Sequence, residues 1–148
     1  MASAILENLY NEERKIRELY EAGKTVGSEV AKEEARAQMR VFRDKLEQDE
    51  DLDWIYSQYT SMKERGNQAI DLDDLHRDET VPTVVRILKE YGIDRFTFSS
   101  TWSSAVGTMY ELVKYGCQIS GMGEVNTKYK DVFTDEYEKA PAVVFTIR

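Results

Sequence analysis

Apolar residues in the first 65 positions recur every three or four residues, which is the spacing of amphipathic helices. This spacing predicts helices over about 3–22, 25–48 and 51–65. Gly23 and Gly66 follow the first and third helices, where glycine commonly ends a helix. The apolar stripe of the second helix is thin and includes Ala35 and Met39, so we expect this helical segment to dock on a partner or to dimerise.

Short helices and strands alternate from residue 81 onward. Helices are predicted over 82–91 and 102–115, and strands over 93–98, 117–125 and 143–147. Both helices end in Tyr-Gly, at Tyr91 and Tyr115, and the last strand most simply returns antiparallel to strand 117–125. The polar segment 126–140 has room for one helical turn.

These elements predict an α+β fold in three parts. Residues 1–66 form an acidic helical hairpin or bundle of about three helices, and residues 67–80 form an acidic linker. Residues 81–148 form an α-β-α-β-β domain, with a three-stranded sheet covered by its two helices.

Charge is distributed unevenly along the chain. Residues 1–80 hold 20 of the 28 acidic residues and 12 of the 20 basic ones, whereas residues 81–148 hold eight of each. Such a surface repels free DNA or RNA and attracts a basic protein. Solvated helix faces that keep the chain soluble are the simpler explanation of the same charges.

Two acidic clusters are candidates for contact with a basic partner. They comprise Asp49, Glu50, Asp51, Asp53, Asp71, Asp73 and Asp74. Neither cluster has the glycine and glutamate spacing of a calcium loop, so we predict no metal site there.

A hydroxyl-rich turn follows the first strand of the second half. Free N–H groups at a strand-to-helix turn, with hydroxyls beside them, can bind phosphate or carboxylate. Helix capping by Ser100 or Thr101 is the alternative role. Together with two residues beside Gly123, the predicted ligand-binding set is Ser99, Ser100, Thr101, Ser103, Glu124 and Asn126.

The sequence offers little for catalysis by cysteine or histidine. Cys117 is the only cysteine and His76 the only histidine. A lone cysteine that opens a strand is more often a buried small hydrophobe than a nucleophile. We therefore predict no catalytic residue and no cofactor. No apolar run spans a bilayer, so we expect a cytoplasmic protein without membrane contact.

Two short segments carry a resemblance to a known group of proteins. Residues 96–104, FTFSSTWSS, and 121–126, GMGEVN, resemble small uncharacterised proteins of mobile elements and phages of Firmicutes-type bacteria. The resemblance covers about the last 65 residues and implies a context, not an activity. Small acidic proteins of such elements include anti-CRISPR inhibitors of host defence nucleases, some of which imitate nucleic acid with carboxylates.

The leading hypothesis is a non-enzymatic protein-interaction module that inhibits a basic, nucleic-acid-binding host protein through its acidic surface. One alternative is a protein, or an enzyme, that binds small anions at the turn of residues 99–104. The other is a purely structural homodimeric scaffold.

Overall fold

A computed structural model describes residues 4–75 and 78–148, and two compact units divide the chain. Among the described residues, the first unit ends at Tyr56 and the second covers Ser57–Arg148. Ser3, where the first predicted helix begins, and His76 lie outside the described residues. No helix among those described combines the length and apolar character needed to cross a membrane.

Helices form the first unit, as predicted. Helix α1 spans Ala4–Thr25, α2 spans Glu29–Glu47 and α3 spans Glu50–Arg65, so that α3 continues into the second unit. A buried glycine, Gly23, lets α1 approach α2 closely, because a Cβ there would lie 3.0 Å from the Ala31 Cβ. Ser28 begins α2 by accepting a hydrogen bond from the Ala31 N–H.

A buried carboxylate ties the three helices of this unit together. Glu13 is 4% exposed and accepts a hydrogen bond from the Tyr56 hydroxyl at 3.2 Å. Arg43 donates to the same carboxylate at 3.0 Å, and Arg17 lies 3.6 Å from it. The buried charge is therefore paired and hydrogen-bonded, as burial of an ion requires.

The second unit is an α+β domain with a four-stranded sheet. The strands are β1, Ile70–Leu72; β2, Arg95–Phe98; β3, Cys117–Lys130; and β4, Tyr137–Ile147. The helices are α4, Val81–Glu90, and α5, Ala105–Lys114. The strand order is β1-β2-β4-β3, with β1 parallel to β2 and the other pairs antiparallel. The α+β class and the antiparallel return of the last strand are confirmed.

The predicted number of three strands is wrong, because β1 lies inside the segment expected to be a linker. Ile70 and Leu72 are each 2% exposed. Asp71 between them is also buried, and it accepts hydrogen bonds from the hydroxyls of Thr97 at 2.7 Å and Ser99 at 2.5 Å. These bonds compensate the carboxylate for lost water, so an acidic sequence can still form a strand.

The central strand β4 contributes the middle of the core. Phe145 is fully buried, stacks on Phe96 at 5.2 Å between ring centroids, and meets Phe98 edge-on at 6.5 Å.

Strands β3 and β4 continue as a hairpin beyond the predicted strand ends. At its tip Asp131 accepts a hydrogen bond from the Phe133 N–H at 2.8 Å. The Asp135 N–H donates to the Asp131 carbonyl at 2.9 Å, so a single α-turn forms at the hairpin tip, inside the segment where one helical turn was expected.

Candidate functional site

The outer face of α5 is apolar and exposed. Val106, Tyr110 and Val113 follow helical spacing on α5, Trp102 lies in the turn before the helix, and all four are between 49% and 74% exposed. The opposite side of α5 buries Leu112 completely. The helix is therefore apolar on both its inner and its outer side.

This apolar face continues onto the edge strand β3. A groove of about 450 Å³ separates the end of α5 from the start of β3, and both Val113 and Ile119 line it. Ile119 is half exposed. We call the set Trp102, Val106, Tyr110, Val113 and Ile119 the α5 surface.

Cys117 lies in the same groove but offers no reactive thiol. Its side chain is 3% exposed, and burial raises the pKa of the thiol to about 11. A thiolate is the reactive form of cysteine, so this position is unsuited to nucleophilic chemistry. The prediction of a buried small hydrophobe is confirmed.

The first predicted acidic cluster stands at the start of α3. Asp49 accepts a hydrogen bond from the Leu52 N–H at 3.2 Å, which caps the helix. Glu50, Asp51 and Asp53 occupy the first helical turn. Their negative charges interact favourably there with the positive end of the helix dipole. The stability of helix α3 is thus sufficient to explain why these acidic residues occur here, and no binding protein is needed for that explanation.

The second predicted acidic cluster is mostly engaged in local contacts. Burial raises the pKa of Asp71, although the hydrogen bonds from Ser99 and Thr97 oppose that change. Asp73 pairs with Arg65 at 3.4 Å, and Asp74 is exposed. Asp71 is not available to a partner at the surface.

The structure separates the predicted ligand-binding residues into two groups. The hydroxyl of Ser99 bonds to Asp71, and Ser100 accepts from the Trp102 N–H at 3.3 Å. Thr101 and Ser103 are exposed, and the residue that precedes α5 is Ser104, which makes no side-chain cap. Neither Ser100 nor Thr101 therefore caps the helix.

Glu124 and Asn126 instead line a cavity of about 510 Å³ with residues that the sequence did not single out. Its floor is the face of the sheet that carries Thr97 and Val144, and its wall is the loop after α3. None of the four predicted hydroxyl residues, 99–101 and 103, is among those that line it.

A reciprocal pair of asparagines closes this cavity at one side. The Asn126 N–H donates to Asn67 Oδ1 at 2.9 Å, and Asn67 Nδ2 donates to the Asn126 carbonyl at 3.0 Å. Asn126 Nδ2 also donates to the carbonyl of Arg65 at 2.7 Å. We call these three bonds the asparagine clamp. It fixes the loop after α3 to strand β3, 59 residues away in sequence.

No cluster of three or more metal-ligating His, Cys, Asp or Glu side chains forms within residues 4–75 and 78–148.

Comparison with the curated proteins finds no match, and neither does comparison with solved structures. A family model described as Domain of unknown function (DUF7698) matches residues 54–147. The match takes in most of the second compact unit, including the α5 surface and the cavity. Because it covers more than half of the chain, this protein belongs to the DUF7698 family.

Proposed function

We propose that the protein is a non-enzymatic interaction module that works as a homodimer through its α5 surface. The observation that carries this proposal is the apolar character of α5 on both sides. Only two of its ten residues are charged, Glu111 and Lys114, and these lie 4.0 Å apart. An apolar side of a helix is normally buried against another element.

The size of the α5 surface fits the centre of a dimer interface. At 55% and 68% exposure, Trp102 and Tyr110 each offer roughly 100–150 Å² of contact area. Three aliphatic side chains extend this area. A standard interface buries about 800 Å² per partner, and its centre is poor in charge and rich in aromatic residues. The α5 surface has this composition.

A second copy of the chain is the occupant that the charges favour. Residues 81–148 hold eight acidic and eight basic residues, so this part of the chain neither repels its own copy nor attracts a strongly charged partner. An apolar stripe along one helix is also complementary to itself when two such helices cross about a two-fold axis.

The helical unit also exposes apolar side chains, but their surroundings differ. Val30 and Val41 of α2 are 72% and 70% exposed, and they lie among many charged residues of the same helix. Val41 also lines a groove with Leu19 of α1, but Glu12, Lys15 and Lys45 line the same groove, whereas the centre of an interface is poor in charge. We therefore assign self-association to α5 and not to the N-terminal helices that the sequence had favoured.

The proposal is tested by measuring the mass of the full chain in solution by light scattering. Val106→Glu places a charge in the middle of the α5 surface and should yield a monomer. Val132→Glu makes the same change at a residue that is 93% exposed at the hairpin tip, and it should leave the dimer intact.

Circular dichroism of both variants checks that they fold. A wild-type chain that is monomeric at micromolar concentration refutes the proposal. A folded Val106→Glu variant that keeps the wild-type mass refutes the assignment to α5.

Inhibition of a basic host nuclease remains a prediction from the resemblance and from charge. Its support is the excess of acidic residues in 1–80, among which Glu50 and Asp74 are exposed. Replacing these two with Gln and Asn should weaken binding to such a partner and reduce its salt dependence. Unchanged binding at low salt would contradict the acidic mechanism.

A further inference from the structure

The floor of the cavity beside strand β3 includes apolar residues and a glycine that has no side chain to fill the space. Val144 and Val125 line it, and Gly123 stands beside them without a side chain. A Cβ built on Gly123 would lie 3.6 Å from the Val144 Cγ2, which shows that the missing side chain would point to the cavity side of the sheet. The glycine therefore leaves open a volume that any larger residue would fill.

The wall of the cavity is held in place independently of any ligand. The asparagine clamp joins the loop after α3 to β3 by three hydrogen bonds of 2.7–3.0 Å. At 510 Å³ the cavity lies within the range of about 300–1,000 Å³ that is typical of small-molecule sites. Pre-formed walls of this kind reduce the entropy that binding costs.

The polar groups at the cavity are unevenly satisfied. Lys139 lies 3.9 Å from Glu124, so their charges largely cancel. The Thr97 hydroxyl donates its hydrogen bond to the Asp71 carboxylate. By contrast, the side chains of Arg95 and Gln68 make no hydrogen bond, and no ion pair within 4 Å, with any residue in the described parts of the chain; Arg95 has only the longer-range attraction of the neighbouring Asp94.

We propose that this cavity binds a small organic carboxylate. The planar guanidinium of Arg95 can donate two parallel hydrogen bonds to a carboxylate. The Gln68 amide can add a further hydrogen bond, and the floor at Gly123 and Val144 contacts the hydrocarbon part of the ligand. Arg95 and Lys139 against Glu124 give the cavity lining a net charge of plus one. This charge suits a monoanion better than a phosphate dianion.

Binding is tested with the full-length, isotope-labelled chain by two-dimensional NMR. Benzoate is the probe, benzamide is its neutral counterpart, and inorganic phosphate tests for simple anion binding. Millimolar benzoate should shift the amide signals of Gly66 and Gly123, whereas benzamide and phosphate should not shift them.

Two variants separate charge from space. Arg95→Gln removes the cation and should weaken benzoate binding about tenfold. Gly123→Val fills the floor without a backbone clash and should abolish binding. Arg86→Gln is the matched control, since this exposed arginine of α4 pairs with Glu90 and does not line the cavity.

Several outcomes would overturn the proposal. Absence of shifts with benzoate, equal shifts with benzamide, or equal shifts with phosphate each contradict carboxylate recognition. Unchanged affinity in a folded Arg95→Gln variant contradicts the role of the guanidinium. The α5 surface shares no residue with this cavity, so these results are independent of self-association.

Discussion

Replacement of Asn67 by alanine is the most direct test of how the cavity is built. The substitution removes two of the three bonds of the asparagine clamp, those between the Asn67 side chain and the backbone of Asn126. Each neutral hydrogen bond contributes about 0.5–1.5 kcal/mol net, so the loss should be about 1–3 kcal/mol. Both groups are partly buried, and water can replace only part of what is lost.

Hydrogen exchange and urea unfolding of the full chain measure this loss. In Asn67→Ala the Asn126 amide should exchange faster, because its acceptor has gone. Asn126→Ala removes only the 2.7 Å bond to the Arg65 carbonyl and should cost about 0.5–1.5 kcal/mol. The double variant should cost less than the sum, because both changes free the same loop.

A neighbouring residue provides the control for this experiment. Gln68 occupies the same loop but makes no hydrogen bond to any described residue, so Gln68→Ala should change stability by less than about 0.5 kcal/mol. If Asn67→Ala behaves like this control in both measurements, the clamp does not form in solution. The cavity would then lack its fixed wall.

Three further predictions concern groups inside the two units. Phe145→Ala should cost about 3–5 kcal/mol in urea unfolding, because the ring is fully buried and stacked on Phe96; a loss below about 1 kcal/mol would refute this packing. Tyr56→Phe should cost about 1.5–3 kcal/mol, since Glu13 loses a buried donor, and an unchanged unfolding midpoint would contradict that bond. The raised pKa of Asp71 means that the folded state binds its proton more tightly than the unfolded state does, so the ionised group costs stability at neutral pH. As the pH falls through the raised pKa towards the ordinary one, the wild type should therefore gain stability relative to Asp71→Asn, and a difference that is constant with pH would contradict the shift.

The sequence specified the helices and the fold class because those signals are local. Apolar spacing, Pro82 and the glycines after the helices act within a few residues, and the structure reproduces each predicted helix with small shifts at the ends. The long hairpin was foreseen only in part. Its far end is polar on both sides, and a solvated strand pair lacks the apolar alternation that predicts strands.

Strand β1 was missed because its stabilising contacts are distant in sequence. Asp71 looks like part of a solvated acidic segment until Thr97 and Ser99 are placed beside it, 26 and 28 residues away. The candidate site shows the same limit. Glu124 and Asn126 were identified by their position beside Gly123, whereas Arg95 and Gln68 become relevant only when the fold places strand β2 and the loop after α3 around the same cavity.

The α5 helix shows what a periodic pattern leaves undecided. The sequence predicted the helix from residues that include Val106 and Leu112, as though they shared one buried stripe. In the structure Leu112 is buried and Val106 is 74% exposed, so the two belong to different sides. A helix with two apolar sides satisfies only one of them against its own sheet. The exposed side of α5 joins Val106, Tyr110 and Val113 on one helix of low charge. The exposed apolar residues of the hairpin tip, Val132 and Phe133, instead stand between Asp131 and Asp135. On that ground the proposed function is assigned to α5.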